Sequence, residues 1–176
     1  MKVIALIVQS INGRITKGSD EKVYQWTSGE DKEHLKQMTS KASLIVMGST
    51  TYEAFKKYIQ LSPNTLRMVM TSQPEKYKDD IVIGQLEFVN KSPKELVEKY
   101  EKKGYKELLL LGGSKIYSSF LEAGLLNELL ITIEPVLFGT GTPFIESHKH
   151  VSLKLVSIEK LNDKGTLLLK YSVYPS

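Results

Sequence analysis

Three short runs of uninterrupted apolar residues, Val3–Val8, Leu44–Met47 and Leu108–Leu111, constrain this chain more than anything else in it. A strand with one face in water alternates apolar and polar side chains. A run that is apolar at every position belongs to a strand covered on both faces. Met68-Val69-Met70 and Leu129–Ile133 carry shorter or more mixed versions of the same signal. Between these runs lie helical patterns: Glu30–Thr39, Tyr52–Tyr58, a proline-initiated Pro93–Lys103 closed by Gly104, and Ser114–Ala123 closed by Gly124. Buried strands alternating with helices predict a three-layer α/β fold around a mostly parallel central sheet. The tail departs from that rhythm. Leu153–Lys160 and Thr166–Val173 read as strands joined by the turn-rich Leu161-Asn162-Asp163-Lys164-Gly165, so a C-terminal antiparallel hairpin makes the sheet a mixed one.

A chain of 176 residues, 41% hydrophobic, can bury one core and is short for two, so residues 1–176 are expected to form a single domain. No apolar stretch is long enough to span a bilayer, and Met1-Lys2 runs into the first apolar segment with no small-residue cleavage site. The absence of cysteine excludes a disulfide framework and a thiolate metal site, and points to a reducing cytoplasm. The net charge of +4 is spread among acids, as in Glu95–Lys103, which is the pattern of a solvated helix face and not of a nucleic-acid-binding stripe. His148 and His150 stand beside Glu146 without a further spaced ligand, so no metal site is expected. Leu125-Leu126 and the apolar last hairpin leave room for a homodimer. The longest stretches without a periodic pattern, Ser10–Gln25 and Gly139–Val151, fall at strand ends and are candidate lids.

Two glycine turns suggest the chemistry. Met47-Gly48-Ser49-Thr50-Thr51-Tyr52-Glu53 and Leu111-Gly112-Gly113-Ser114-Lys115-Ile116-Tyr117 each follow an apolar run and each open a helical pattern. A glycine just past a buried strand lets backbone N–H groups approach a phosphate, and the following helix points its positive end at the same charge. Two such turns suggest a dinucleotide held across one sheet edge, with Tyr52 and Tyr117 at the helix starts serving packing or cofactor contact.

Ahead of both turns, Ser28-Gly29-Glu30-Asp31 leads into a helix with Leu35 and Met38 on its apolar stripe. Asp31 lies four residues before Leu35 on that stripe and faces inward, whereas Glu30 shares the polar face with His34 and Gln37. A partly desolvated Asp31 would have a raised pKa suited to proton-linked chemistry. Equally, Asp31 stands three residues after Ser28 and approximates a capping box, a purely structural role.

Taken together these residues resemble the dihydrofolate reductase superfamily, which includes the reductase domain of riboflavin biosynthesis, and the resemblance extends over nearly the whole chain. Trp26, Asp31 and Leu35 resemble its substrate-site segment; Gly48-Ser49-Thr50-Thr51 and Thr71-Ser72-Gln73-Pro74 resemble its adenosine-side loops; and Gly112-Gly113 with Ile116-Tyr117 resembles its pyrophosphate and nicotinamide loop. Ile133-Glu134-Pro135, Phe138-Gly139-Thr140-Gly141 and Leu161–Leu167 resemble a bacterial branch of dihydrofolate reductases. The resemblance implies a dihydrofolate-reductase-like fold and hydride transfer from NADPH to a pterin or related pyrimidine. Asp31 would hydrogen-bond the amino-pyrimidine edge and promote ring-nitrogen protonation. Ala5, Leu6, Leu35 and Leu111 would wall the ring, Ile15 and Trp26 would belong to a loop over the nicotinamide, and Ser114 and Lys115 would complete the cofactor set.

Departures from the pattern divide the substrate. Thr65 stands where the resemblance would place an arginine for the folate carboxylate, with Arg67 as its replacement, and Ser49 stands where an arginine often meets the cofactor 2′-phosphate, leaving Thr71, Ser72, Lys76 or Lys115 to hold it. Dihydrofolate is the first expectation. A phosphoribosylaminopyrimidine of the riboflavin pathway is the alternative, because Ser10–Ile15 resembles those reductases, although their Asp-x-Pro segment is replaced by Tyr52–Lys56. A nucleotide-binding module without turnover is the third reading.

Overall fold

The computed structural model describes residues 1–20 and 25–174. Its strands are β1 (Lys2–Ser10), β2 (Leu44–Gly48), β3 (Leu66–Met70), β4 (Leu86–Val89), β5 (Glu107–Leu110), β6 (Glu128–Glu134), β7 (Leu153–Lys160) and β8 (Leu167–Val173). They form one sheet in the order β4-β3-β2-β5-β1-β6-β8-β7. All pairings from β4 across to β6 are parallel, and β8 and β7 join antiparallel. The three-layer α/β fold with a C-terminal hairpin expected from the sequence is therefore the one found.

Helices α1 (Gly29–Lys41) and α2 (Ser49–Phe55) cover one face, and α3 (Pro93–Lys102) and α4 (Ser114–Glu122) the other. The uninterrupted apolar runs are explained by this arrangement. Along β1, Val3, Ala5 and Ile7 pack with Tyr100, Tyr117 and Phe120 under α3 and α4, while Ile4 and Leu6 pack on the opposite face with Leu35, Met38 and Tyr52. Helix α3 starts as its sequence suggests, with Pro93 following the Ser92 cap and a reciprocal Ser92–Glu95 capping box. Leu126 is buried in the core and Leu125 packs against it, so this pair is not a surface patch.

Three local features differ from expectation. Strand β4, Leu86-Glu87-Phe88-Val89, has no counterpart among the expected strands, because as an edge strand it alternates buried and half-buried positions and carries no apolar run. The helix expected over Tyr52–Tyr58 starts earlier, at Ser49, and ends in a separate 3-10 turn at Lys56–Tyr58. The two segments read as lids are tied to each other: Ile15 N–H donates to Thr142 O (2.9 Å), Gly18 N–H to Thr140 O (2.9 Å) and Phe144 N–H to Gly13 O (3.1 Å). Of the expected open segment Ser10–Gln25, residues 21–24 lie outside the described residues. No helix among the described residues is long and apolar enough to cross a membrane.

Candidate active site

Asp31 sits in the first turn of α1 and is buried, as its helical spacing implied. The cap is also real: the Asp31 N–H donates to Ser28 Oγ at 3.2 Å. Yet only half of a capping box forms. The Ser28 N–H, which a reciprocal box would direct to the side chain three residues on, donates instead to Glu134 Oε1 at 2.7 Å. The Asp31 carboxyl is thereby left free to face β6. Burial raises its pKa to about 6, the Glu134 charge adds to the rise, and the neighbouring Thr132 hydroxyl and Lys32 oppose it. Thr132 Oγ1 is itself a buried polar atom with no hydrogen-bond partner of good geometry. Ser28 thus caps the helix through the Asp31 backbone N–H, no reciprocal capping box forms, and the Asp31 side chain is desolvated as its spacing implied.

Glu134, at the end of β6, is almost fully buried. Besides Ser28 it accepts a hydrogen bond from Thr166 Oγ1 at 2.8 Å, so one carboxylate joins the start of α1, the end of β6 and the entry to β8. Outside it, Asn162 Nδ2 donates to both Glu30 Oε2 and Thr166 Oγ1, which docks the hairpin turn on the first turn of α1. Neither Glu134 nor Thr132 stood out as a functional residue in the sequence. The available signal was an acid closing an apolar strand, a position where a carboxylate is drawn inside.

Strand geometry separates Ala5 from Leu6. Neighbouring side chains point to opposite faces, so Leu6 lies on the Asp31 face, whereas Ala5, fully buried, belongs to the core under α3 and α4 and does not present its side chain to α1. Leu35 and Leu111 pack on the Leu6 side. Trp26 meets Phe138 edge-on at 5.0 Å with its Nε1 buried and unpartnered.

The two glycine turns meet directly: Gly48 N–H donates to Gly112 O at 2.7 Å. A Cβ on Gly48 would lie 2.9 Å from Ile116 Cγ1, and one on Gly112, whose φ is +83°, would run into the Tyr117 ring. Tyr117 is a core residue rather than an exposed cofactor contact. Its hydroxyl donates to Leu6 O at 2.6 Å, and burial, then the Asp31 charge, keep the phenol protonated well above its ordinary range. Gly113 caps α4 without a side chain, Ile15 Cδ1 and Thr51 Oγ1 border it, and Ser114 Oγ at the first helical position is buried with no partner. Thr50 is exposed, whereas Ser49 is half-buried at the start of α2. Alongside runs a cleft of about 300 Å³ lined by Thr71, Ser72, Asn90, Lys91, Lys115 and Ile116, with Gln73 exposed at the next position. An uncapped helix N-terminus, an orphaned buried hydroxyl and a hydroxyl-rich cleft beside Lys115 fit a phosphorylated dinucleotide.

Thr65 and Arg67 differ in role. Thr65 is buried and its hydroxyl donates to Ala42 O at 2.9 Å. Arg67 lies on the α1 face of β3, 9% exposed, with Nη1 buried and unpartnered and its pKa lowered by burial.

A sequence profile of the RibD C-terminal domain matches residues 1–167. The uncharacterized protein YwjB of Bacillus subtilis is 24% identical over 170 residues, covering 94% of this chain and 90% of its own. A putative riboflavin biosynthesis protein from Shewanella sp. PV-4 superposes with a TM-score of 0.78 at 21% identity, covering 99% of both chains. Dihydrofolate reductase from Enterococcus faecalis, solved with NADP(H), superposes with a TM-score of 0.66 at 21% identity, covering 98% of this chain and 96% of its own. With that match running through the glycine turns, the acidic helix and the β6 carboxylate alike, the chain belongs to the RibD C-terminal domain family and shares the fold of dihydrofolate reductase.

Proposed function

We propose that the protein is an NADPH-dependent reductase acting on a pterin or related pyrimidine substrate, with Asp31 meeting the ring. The observation that carries this reading is the Asp31 carboxyl, buried against β6 with a pKa of about 6 and left free by a cap that uses only its backbone N–H. Bound NADPH would supply the hydride. Ser114 and the N-terminal N–H groups of α4 would hold the pyrophosphate, and Thr71, Ser72 and Lys115 the adenosine 2′-phosphate. Leu6, Leu35 and Leu111 keep water from the reacting faces. Reduction adds hydride to carbon and a proton to nitrogen across a carbon–nitrogen double bond, which a dihydropterin carries in its ring and a ribosylaminopyrimidine presents between C1′ and the exocyclic nitrogen once the C1′–ring-oxygen bond of the sugar has opened. Asp31 titrates close enough to neutrality to hold that proton at its carboxyl oxygen, and when ionised it accepts the paired N–H groups of an amino-pyrimidine edge.

Within this class a phosphoribosylaminopyrimidine is the favoured substrate. The Thr65 hydroxyl is committed to Ala42 O and offers no grip for a folate carboxylate, and the family profile together with the Shewanella neighbour supports the same choice. Dihydrofolate is the second reading, favoured by Arg67 on the Asp31 face, whose buried Nη1 has no partner and which would pair with a carboxylate. The deciding experiment follows NADPH absorbance with each substrate in turn, using wild type and Asp31→Asn. Turnover of one substrate, lost in the variant, identifies it. Cofactor binding without oxidation in the presence of either one refutes the enzymatic reading and leaves a nucleotide-binding module.

A further inference from the structure

The turn between β7 and β8 is bonded to itself and then bonded again to the candidate site. Leu161 N–H donates to Thr166 O (2.8 Å) and Gly165 N–H to Asn162 O (3.2 Å), while the N–H groups of Lys164 and Thr166 donate to Asn162 Oδ1 at 3.1 and 3.2 Å. These bonds suffice to close a hairpin turn. Asn162 Nδ2 nevertheless donates outward, at 3.0 Å each, to Glu30 Oε2 and to Thr166 Oγ1, and Thr166 Oγ1 donates to Glu134 Oε2 at 2.8 Å. Thr166 is fully buried, although every residue of the strand it leads into is only half-buried.

The direction of these bonds matters. A hydroxyl has one hydrogen and two lone pairs. Because Thr166 Oγ1 accepts from Asn162, its single hydrogen is directed at Glu134, and Asn162 fixes that orientation. No cation among the described residues pairs with Glu134; its donors are the Ser28 N–H and the Thr166 hydroxyl. A buried carboxylate held ionised by two hydrogen bonds holds its charge less firmly when one donor is lost. That charge acts on Asp31. The titratable groups around Asp31 are Lys32 on its own helix, Glu134 on β6 and the Tyr117 phenol on α4, which stays protonated. After burial itself, Glu134 is the group that favours a proton on Asp31, against Thr132 and Lys32.

We propose that Thr166, oriented by Asn162, is a positioning residue for Asp31: it fixes the Glu134 carboxylate, which anchors the first turn of α1 through Ser28 and supplies the negative charge that keeps a proton on Asp31. This role rests on the reading of Asp31 as the group that meets the substrate ring, and it makes the β7–β8 turn part of the site's machinery.

Thr166→Val keeps the buried shape and deletes the hydroxyl, whereas Thr166→Ser keeps the hydroxyl. Carbon NMR of the aspartate carboxyls, recorded without substrate or cofactor, reads the titration of Asp31 in each. Asp31 should titrate lower by about half a pH unit or more in Thr166→Val, and as in wild type in Thr166→Ser. Asn162→Ser keeps an acceptor for the turn N–H groups, removes the donor that orients Thr166, and should move Asp31 the same way by less. It carries the test if circular dichroism shows that Thr166→Val does not fold. In the reductase assay protonated Asp31 is the active form, so the alkaline limb of the kcat pH profile should move down with the NMR titration while KM for NADPH stays unchanged. An Asp31 titration unmoved in a folded Thr166→Val, or moved as far in Thr166→Ser, overturns the proposal. A pH profile that stays in place while the NMR titration moves overturns it too. If wild type reduces neither substrate, the functional reading fails on its own, and the NMR titration still decides whether the turn governs Asp31.

Discussion

Asp31→Asn should make the protein more stable at neutral pH while removing its proposed chemistry. The folded-state pKa of Asp31 is about 6 against an ordinary value of 3.8, with burial as the largest cause. A carboxyl whose pKa rises on folding contributes fully below the unfolded value, and that contribution is lost as pH climbs through the folded value, because the folded state must ionise a desolvated group. The difference of about two pH units corresponds to about 3 kcal/mol at pH 7.5. Asparagine has the same shape, carries no charge to desolvate, and its amide can donate to the unpartnered Thr132 Oγ1. The Ser28 cap is untouched because it uses the Asp31 backbone N–H. The gain should therefore approach about 3 kcal/mol at pH 7.5, or roughly 6–12 °C in melting temperature for a chain of this size, and shrink below about 1 kcal/mol by pH 4. Urea unfolding of wild type and variant at both pH values measures it without substrate or cofactor. A variant no more stable than wild type at pH 7.5, or a gain of equal size at both pH values, would refute the assignment of Asp31 as a desolvated carboxyl. If the gain appears and no substrate is ever reduced, the desolvation argument survives and the proposed activity does not.

The remaining predictions use the same geometry. Glu134→Gln keeps an acceptor for the Ser28 N–H and removes the charge that adds to the Asp31 pKa, so carbon NMR of the aspartate carboxyls should show Asp31 titrating lower; an unmoved titration contradicts the electrostatic coupling. Tyr117→Phe deprives the buried Leu6 carbonyl of its 2.6 Å donor and should cost about 1–3 kcal/mol in urea unfolding, with wild-type stability counting against it. Gly112→Ala drives a methyl into the Tyr117 ring at a backbone φ of +83° and should cost about 2 kcal/mol or more, again read by urea midpoint, where no change would show that the turn yields. Lys115→Ala, in the hydroxyl-rich cleft, should weaken NADPH binding about tenfold by calorimetry with little effect on NADH; equal losses for both would remove Lys115 from the 2′-phosphate.

The glycine turns and the buried acid were readable in sequence because each depends on neighbours in the chain. Gly48 and Gly112 follow strands and precede helices, and the inward placement of Asp31 follows from its spacing to Leu35. The ambiguity at Asp31 was real, since spacing alone cannot distinguish a capping carboxylate from one turned into the site. Its resolution lies in Glu134, which is 106 residues from the Ser28 N–H it accepts. The same limit applied to Ala5 and Leu6: the run around them is apolar throughout, so nothing local says which one faces α1.

By itself the amino-acid order determined the layers of this protein. Uninterrupted apolar runs are stable only with helices on both faces, and two strand-forming segments joined by the short turn-rich Leu161–Gly165 return on each other as a hairpin. Tertiary structure alone decided which strand lies beside which, and with that every contact of the candidate site. The order β4-β3-β2-β5-β1-β6-β8-β7 sets Gly48 against Gly112 and holds Glu134 beneath Ser28. These partners share no local pattern; their proximity follows from burying two large apolar surfaces at once, and the polar groups trapped by that burial had to satisfy one another where they met.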